Sequence, residues 1–236
     1  MSRPRVRSRL AAVLFLVTWV TSVAALPLYG GSGLDAASAL AGRSSVLVAA
    51  LLEVVLALAV VGTAVALYPL LRPHGAGPAL GYVALRTLEA SVVLVGVVAV
   101  LPAVARPATT APPQLGGDVT AALQLVHDWT FLVGPGLVNP VNATVLALLL
   151  LRRRLVPLFV PVLGIGGALL VAGGNLAVLF GVAHPVPALA VPLFAWEICL
   201  AAVLAFRGIE PAPEAPRAGR PTAPSLSAAT DSGPSQ

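Results

Sequence analysis

Residues 46–71 read VLVAALLEVVLALAVVGTAVALYPLL, an apolar run interrupted by a single ionisable side chain, Glu53. A helix needs about 20 predominantly apolar residues to cross about 30 Å of hydrocarbon. This run exceeds that length and carries no polar face to turn toward water. Five further stretches have the same character, at 10–30, 79–105, 121–151, 155–181 and 187–206. Glycine and proline inside them suit membrane helices, where neighbouring elements satisfy the backbone groups that such residues release. The fold class that follows is all-α, a polytopic membrane protein built as a six-transmembrane-helix bundle, with the lipid bilayer as its first partner.

Composition agrees with that reading. Of 236 residues, 58% are hydrophobic and 10% charged, and the mean hydropathy is +0.96. Soluble domains are nearer 45–50% apolar and about 25% charged. A cytosolic globular enzyme and a disordered chain are excluded. The pI near 10.6 rests on 14 basic residues, all of them Arg, against nine acidic ones, which is too small an excess for a nucleic-acid partner. One cysteine, Cys199, excludes a disulfide framework and a thiolate zinc site.

Three regions follow along the chain: a basic N-terminus at 1–9, the membrane domain at 10–206, and a tail at 207–236 rich in Pro, Ala and Ser. The tail has too little apolar surface to order itself. In the first segment, Val23-Ala24-Ala25 resembles a signal-peptide cleavage site. The uncharged run nevertheless continues to Gly33, long enough to span, and a retained helix is expected. The loop RPATTAPPQLGGDVT at 106–120 reads as a surface connection.

Arginines beside the spans set the orientation. With the N-terminus inside, Arg3, Arg5, Arg7, Arg9, Arg72, Arg152, Arg153, Arg154 and Arg207 are cytoplasmic, and only Arg43 and Arg106 lie outside. That bias predicts that both termini are cytoplasmic.

The hairpin ALYPLLRPHGAGPALGYVALRTLEA at 66–90 and the later LRRRLVPLFVPVLGIGG at 151–167 resemble a bacterial family of small six-helix membrane proteins known only as a domain of unknown function. The resemblance covers about residues 10–206, and its most specific pieces are Arg86-Thr87-Leu88-Glu89-Ala90 and Arg154-Leu155-Val156-Pro157. It implies the fold and a bacterial plasma membrane, and it brings no activity, cofactor or catalytic residue.

Ionisable side chains within a span cost roughly 2.5–3.5 kcal/mol each on insertion scales, so they tend to face the bundle interior. Here they are Glu53, Arg86, Glu89, His127, Asp128 and Glu197, accompanied by Asn139, Asn142 and Asn175. Arg86 and Glu89, three apart, share a helix face with Tyr82 one turn back. They form either a local ion pair or a bridge to a carboxylate on another helix. Glu197, in VPLFAWEICLAAVLAF, has no cation within a helical turn, and Glu53 is equally isolated. Four carboxylates against one Arg leave three negative charges, so some must hold a proton or a cation must be bound.

In the fourth span, Gln124, Asp128, Pro135, Asn139 and Asn142 fall on one stripe of a regular helix. The segment GPGLVNPVN at 134–142 carries Pro135 and Pro140, which would disturb the carbonyls near Phe131 and Gly136. His127 and Asp128 are adjacent and point about 100° apart. They lack the spacing of a metal site, so no metal and no cofactor are expected. In the fifth span, Gly164, Ala168 and Ala172 form a small-residue stripe that serves either helix packing or a dimer face.

No nucleophile elbow or phosphate-cradling loop is present, and no catalytic residue is assigned. Two functions remain. One is a small transporter-like protein, coupled to protons or cations through a buried carboxylate site, its small-molecule or ion ligand left open and a homo-dimer expected from its size. The other is a non-catalytic scaffold or regulator, whose polar residues only fix helix packing. An intramembrane hydrolase is a distant third.

The orientation is directly testable. Reporter fusions at the C-terminal tail and in the 106–120 loop should report the cytoplasm and the exterior respectively. An external tail would defeat both the helix count and the orientation.

Overall fold

The computed structural model describes residues 3–29, 43–104 and 117–209. The 207–236 tail, beyond Ile209, and most of the 106–120 loop lie outside the described residues. Seven α-helices make up the described chain: α1 (Arg3–Ala25), α2 (Arg43–Leu71), α3 (Ala76–Val104), α4 (Gly117–Val133), α5 (Asn139–Arg152), α6 (Phe159–Leu179) and α7 (Val191–Phe206). A five-residue π-turn, Gly134–Val138, joins α4 to α5 into one rod. Six helices are thus long and apolar enough to cross a membrane: Pro4–Tyr29, Ser44–His74, Ala76–Pro102, Asp118–Arg152, Phe159–Leu179 and Pro187–Phe206. No strand occurs among the described residues. The first helix starts earlier than expected, because residues of the basic N-terminus are already helical.

Local chemistry explains the helix ends. Past α5, the Leu155 N–H bonds back to the Leu150 carbonyl (3.1 Å) and the Arg154 N–H to that of Leu151 (3.2 Å). Arg154 adopts φ 52° there, the left-handed conformation that this type of closure demands. Past α6 the same closure places Gly181 at φ 69°, with the Val182 N–H on the Ala177 carbonyl at 2.9 Å. Glycine adopts that conformation without a Cβ penalty, and arginine does not.

The helices close into a ring in chain order. α1 packs on α2, α2 on α3, α3 on both α4 and α5, α5 on α6, α6 on α7, and α7 back on α1. α1 is therefore a wall of the ring, and losing it would open the bundle. Both ends of the described chain lie at one end of the ring, where the Ile209 N–H meets Ser8 Oγ at 3.4 Å. This half is filled by an apolar core that includes Leu67, Leu71, Leu146, Leu150, Leu200 and Leu204. A smaller cluster in the opposite half centres on Leu56, Val60, Ala90 and Val93. Most outward-facing residues of the spans are apolar, among them Leu58 (66% exposed), Val98 (65%) and Leu169 (68%). Such a belt suits lipid contact and would be a liability in water.

The small-residue stripe works inside the chain. Gly164 makes room for the Trp196 indole: a Cβ there would lie 2.6 Å from its nitrogen. At Gly167 a Cβ would lie 2.7 Å from the Leu193 backbone nitrogen. Ala168 is buried beside them, whereas Ala172 is only half-buried. Glycine is needed at 167 because backbone atoms cannot move aside as a flexible side chain can.

Gly167→Ala should lower thermal stability in detergent by about 1–3 kcal/mol, the usual cost of overpacking. Gly166 has open space around its Cβ position. Gly166→Ala should be neutral or slightly stabilising, since alanine is the better helix former. Equal effects at the two positions would show that α6 and α7 are not in this close contact.

Candidate functional site

Tyr82, Arg86 and Glu89 recur on one face of α3, and that face turns inward. Arg86 is 2% exposed. Its Nε donates to Tyr82 Oη at 3.1 Å. Nη1 donates to Glu89 Oε2 at 3.2 Å and to Oε1 at 3.4 Å. Nη2 reaches across the ring to Glu197 Oε1 on α7 at 3.5 Å. The Phe15 ring of α1 lies over the guanidinium, its centroid 5.6 Å from Cζ. On α5, Asn142 donates its amide to Glu89 Oε2. One guanidinium thus ties α1, α3 and α7 directly, and α5 through Glu89. Both readings of Arg86 and Glu89 are met: the local ion pair forms, and Arg86 also bridges to a carboxylate on another helix. Glu197 is isolated along its own helix and paired through space.

Beside this cluster lies a cavity of about 200 Å³, lined from all six spans. Arg86, Glu89 and Glu197 form its charged wall. Asn139 and Asn175 supply amides, Thr18 and Ser22 hydroxyls, and residues such as Leu56, Val60, Phe131 and Phe194 the apolar surface.

A second polar group occupies the half of the ring away from the chain ends. Tyr29 Oη donates to Glu53 Oε2 at 2.8 Å, and His127 Nε2 lies 3.1 Å from both oxygens of Glu53. The Tyr29 and His127 rings are 4.6 Å apart. Phe131 packs on the other side of His127, at 5.0 Å, and itself lines the cavity. Gly96 on α3 permits this approach, because a Cβ there would collide with Thr130 Oγ1. Tyr29 was not among the residues expected from sequence. It ends the first span as an interfacial tyrosine would, and nothing local couples it to a carboxylate 24 residues onward.

The stripe expected along the fourth span is corrected at one member. Asp128 is exposed, its side chain at 62%, and is not a buried polar residue. It touches only the outer nitrogen of His127, Nδ1, at 3.5 Å. The reason is the π-turn. The Asn139 N–H bonds to the Gly134 carbonyl, five residues back, so one extra residue enters the turn and rotates all that follows by about 100°. Spacing counted at 3.6 residues per turn does not survive that insertion. Asn139 and Asn142 turn inward, while Asp128 stays on the surface. Asn175 on α6 meets the turn itself: its Cγ and Oδ1 would lie 3.0 Å from a Cβ at Gly136. Its Nδ2 donates to the Val171 carbonyl at 2.8 Å.

The excess of three interior charges is corrected too. With Asp128 outside and Glu53 on His127, the central cluster holds two carboxylates against one guanidinium. Among the described residues, no group of three His, Cys, Asp or Glu is placed to hold a metal.

A family described as "Domain of unknown function (DUF4386)" matches residues 10–208. The chain belongs to that family. The match embraces all six spans, so the ring and both polar groups lie within the DUF4386 region, as the resemblance over about 10–206 implied. No curated protein and no solved structure matches the chain.

Breaking one partner of a buried ion pair costs about 3–5 kcal/mol, because the other charge is left without compensation. Arg86→Met should therefore sharply lower the yield and thermal stability of the DUF4386 protein. Adding Glu89→Gln should recover part of that loss, and a double-mutant cycle measures the coupling. Strictly additive losses would show that the two side chains do not share charge.

Proposed function

We propose that this protein is a small carrier of the plasma membrane, with both termini cytoplasmic, that exchanges protons for a small cation at Glu197, beside the Arg86–Glu89 pair. One observation carries this reading: a single guanidinium faces two carboxylates at the wall of a cavity lined from every span. A low-dielectric interior disfavours the remaining negative charge strongly. Neutrality there calls for one more positive charge, either a proton or a bound cation. The two exclude one another at a single carboxylate, and mutual exclusion is the physical basis of exchange.

The longer contact, at 3.5 Å, is to Glu197, which makes Glu197 the exchanging group and Glu89 the one that keeps Arg86 in place. Asn142 holds Glu89 further by its amide bond. The π-turn at Gly134–Val138 lies beside the cavity, where Pro135 and Gly136 line it. Such turns are frequent at functional sites, and this one supplies a place to bend. The scaffold reading draws on the same cluster, since Arg86 alone braces several helices and would do so without any solute.

Proteoliposomes loaded with a pH-sensitive dye separate the two. Protein-dependent proton movement should follow an imposed cation gradient and exceed that of empty liposomes. Glu197→Gln is nearly isosteric with a protonated Glu, so it should insert and fold while exchange falls at least tenfold. If the parent behaves as empty liposomes do, the carrier reading fails and the brace is what remains.

A further inference from the structure

The donors and acceptors around the central cavity are unequally engaged, and this specifies what it would accept. Each of the three guanidinium nitrogens of Arg86 already donates, to Tyr82, Glu89 and Glu197. The amide nitrogen of Asn175 donates to its own helix, at the Val171 carbonyl. The Thr18 hydroxyl does likewise, to the Phe15 carbonyl at 2.8 Å. The amide nitrogen of Asn142 donates to Glu89, an orientation that an ionised carboxylate enforces because it can only accept.

N–H groups remain on these side chains, but the atom left unsatisfied at the wall is an oxygen, Oδ1 of Asn139. Oδ1 of Asn142, which does not line the cavity, is unpaired as well. A buried acceptor left unpaired is costly, so Asn139 favours a ligand that brings hydrogens. Glu197 uses one oxygen on Arg86 and can present the other to the same ligand.

Resting on the carrier reading above, we infer that the ligand is a small primary alkylammonium ion. Its positive charge answers the excess carboxylate, and its N–H groups answer the amide oxygen of Asn139. Its aliphatic body meets Leu56, Val60, Phe131 and Phe194. A cavity of about 200 Å³ suits a ligand with a short chain. A hard metal ion takes about six to eight oxygen ligands, and among the described residues no group of three His, Cys, Asp or Glu is placed to hold one. A carboxylate or phosphate would add negative charge to a wall where two carboxylates already face one guanidinium.

Thermal unfolding of the purified protein in detergent at neutral pH tests this with n-butylammonium chloride, KCl and sodium butyrate at equal ionic strength. Butylammonium should raise the midpoint saturably, and the other two salts should not. Glu197→Gln should weaken the apparent affinity at least tenfold, and Asn139→Leu several-fold. A saturable rise with butyrate, an equal rise with KCl, or no response to butylammonium overturns the ligand class. These comparisons use the parent protein, so a variant that fails to fold does not blunt them. Butylammonium binding without exchange in liposomes would uphold the ligand class and defeat the carrier. Exchange of protons for potassium without butylammonium binding would do the reverse.

Discussion

A guanidinium inside an apolar bundle must find anions and acceptors within the reach of one side chain, and Arg86 meets that demand from several helices. Arginine does not lose its charge in proteins, so neutralising itself is not an available escape. Tyr82 and Glu89 come from its own helix, Glu197 from α7 and the Phe15 ring from α1. These contacts set how far α1 and α7 stand from α3 across the ring. Asn142 then sets α5 by holding Glu89. The order α1 to α7 around the ring follows from short connections, but its centre follows from this one cation.

The centre also divides the bundle. On the side of the chain ends, leucines such as Leu71, Leu146, Leu150 and Leu204 fill the space between helices. On the other side, the cavity and the Glu53–His127–Tyr29 group replace them. Dense packing resists rearrangement, whereas a half containing a π-turn, prolines and a void has room to bend. Phe131 stands between the two polar groups, touching His127 on one side and the cavity on the other.

The π-turn is the least regular element and the one with the widest consequences. Pro135 and Pro140 lack the N–H groups of a regular ladder, and the chain answers with one wide turn rather than a break. That turn aims Asn139 and Asn142 inward, leaves Asp128 on the surface, and brings Gly136 against Asn175. π-turns are rare and frequently occur at functional sites, which accords with its place at the cavity wall.

Much of this was legible in the sequence. Six apolar runs specified six helices, because hydrocarbon admits only segments that satisfy their own backbone hydrogen bonds. The i, i+3 and i, i+4 spacing around Arg86 put Tyr82 and Glu89 on one face, because helical geometry is local. The adjacency of His127 and Asp128 put them on different faces for the same reason. What the sequence left open was every relation between helices. No local rule pairs Glu197 with a cation 111 residues away or Glu53 with a tyrosine and a histidine on two other helices. Nor does a count at 3.6 residues per turn foresee the extra residue that excludes Asp128. Helix formation is decided within a few residues by backbone bonding and solvent. The convergence of side chains on one cavity is decided by how six rods pack, and that depends on glycines, a wide turn and a charge acting together.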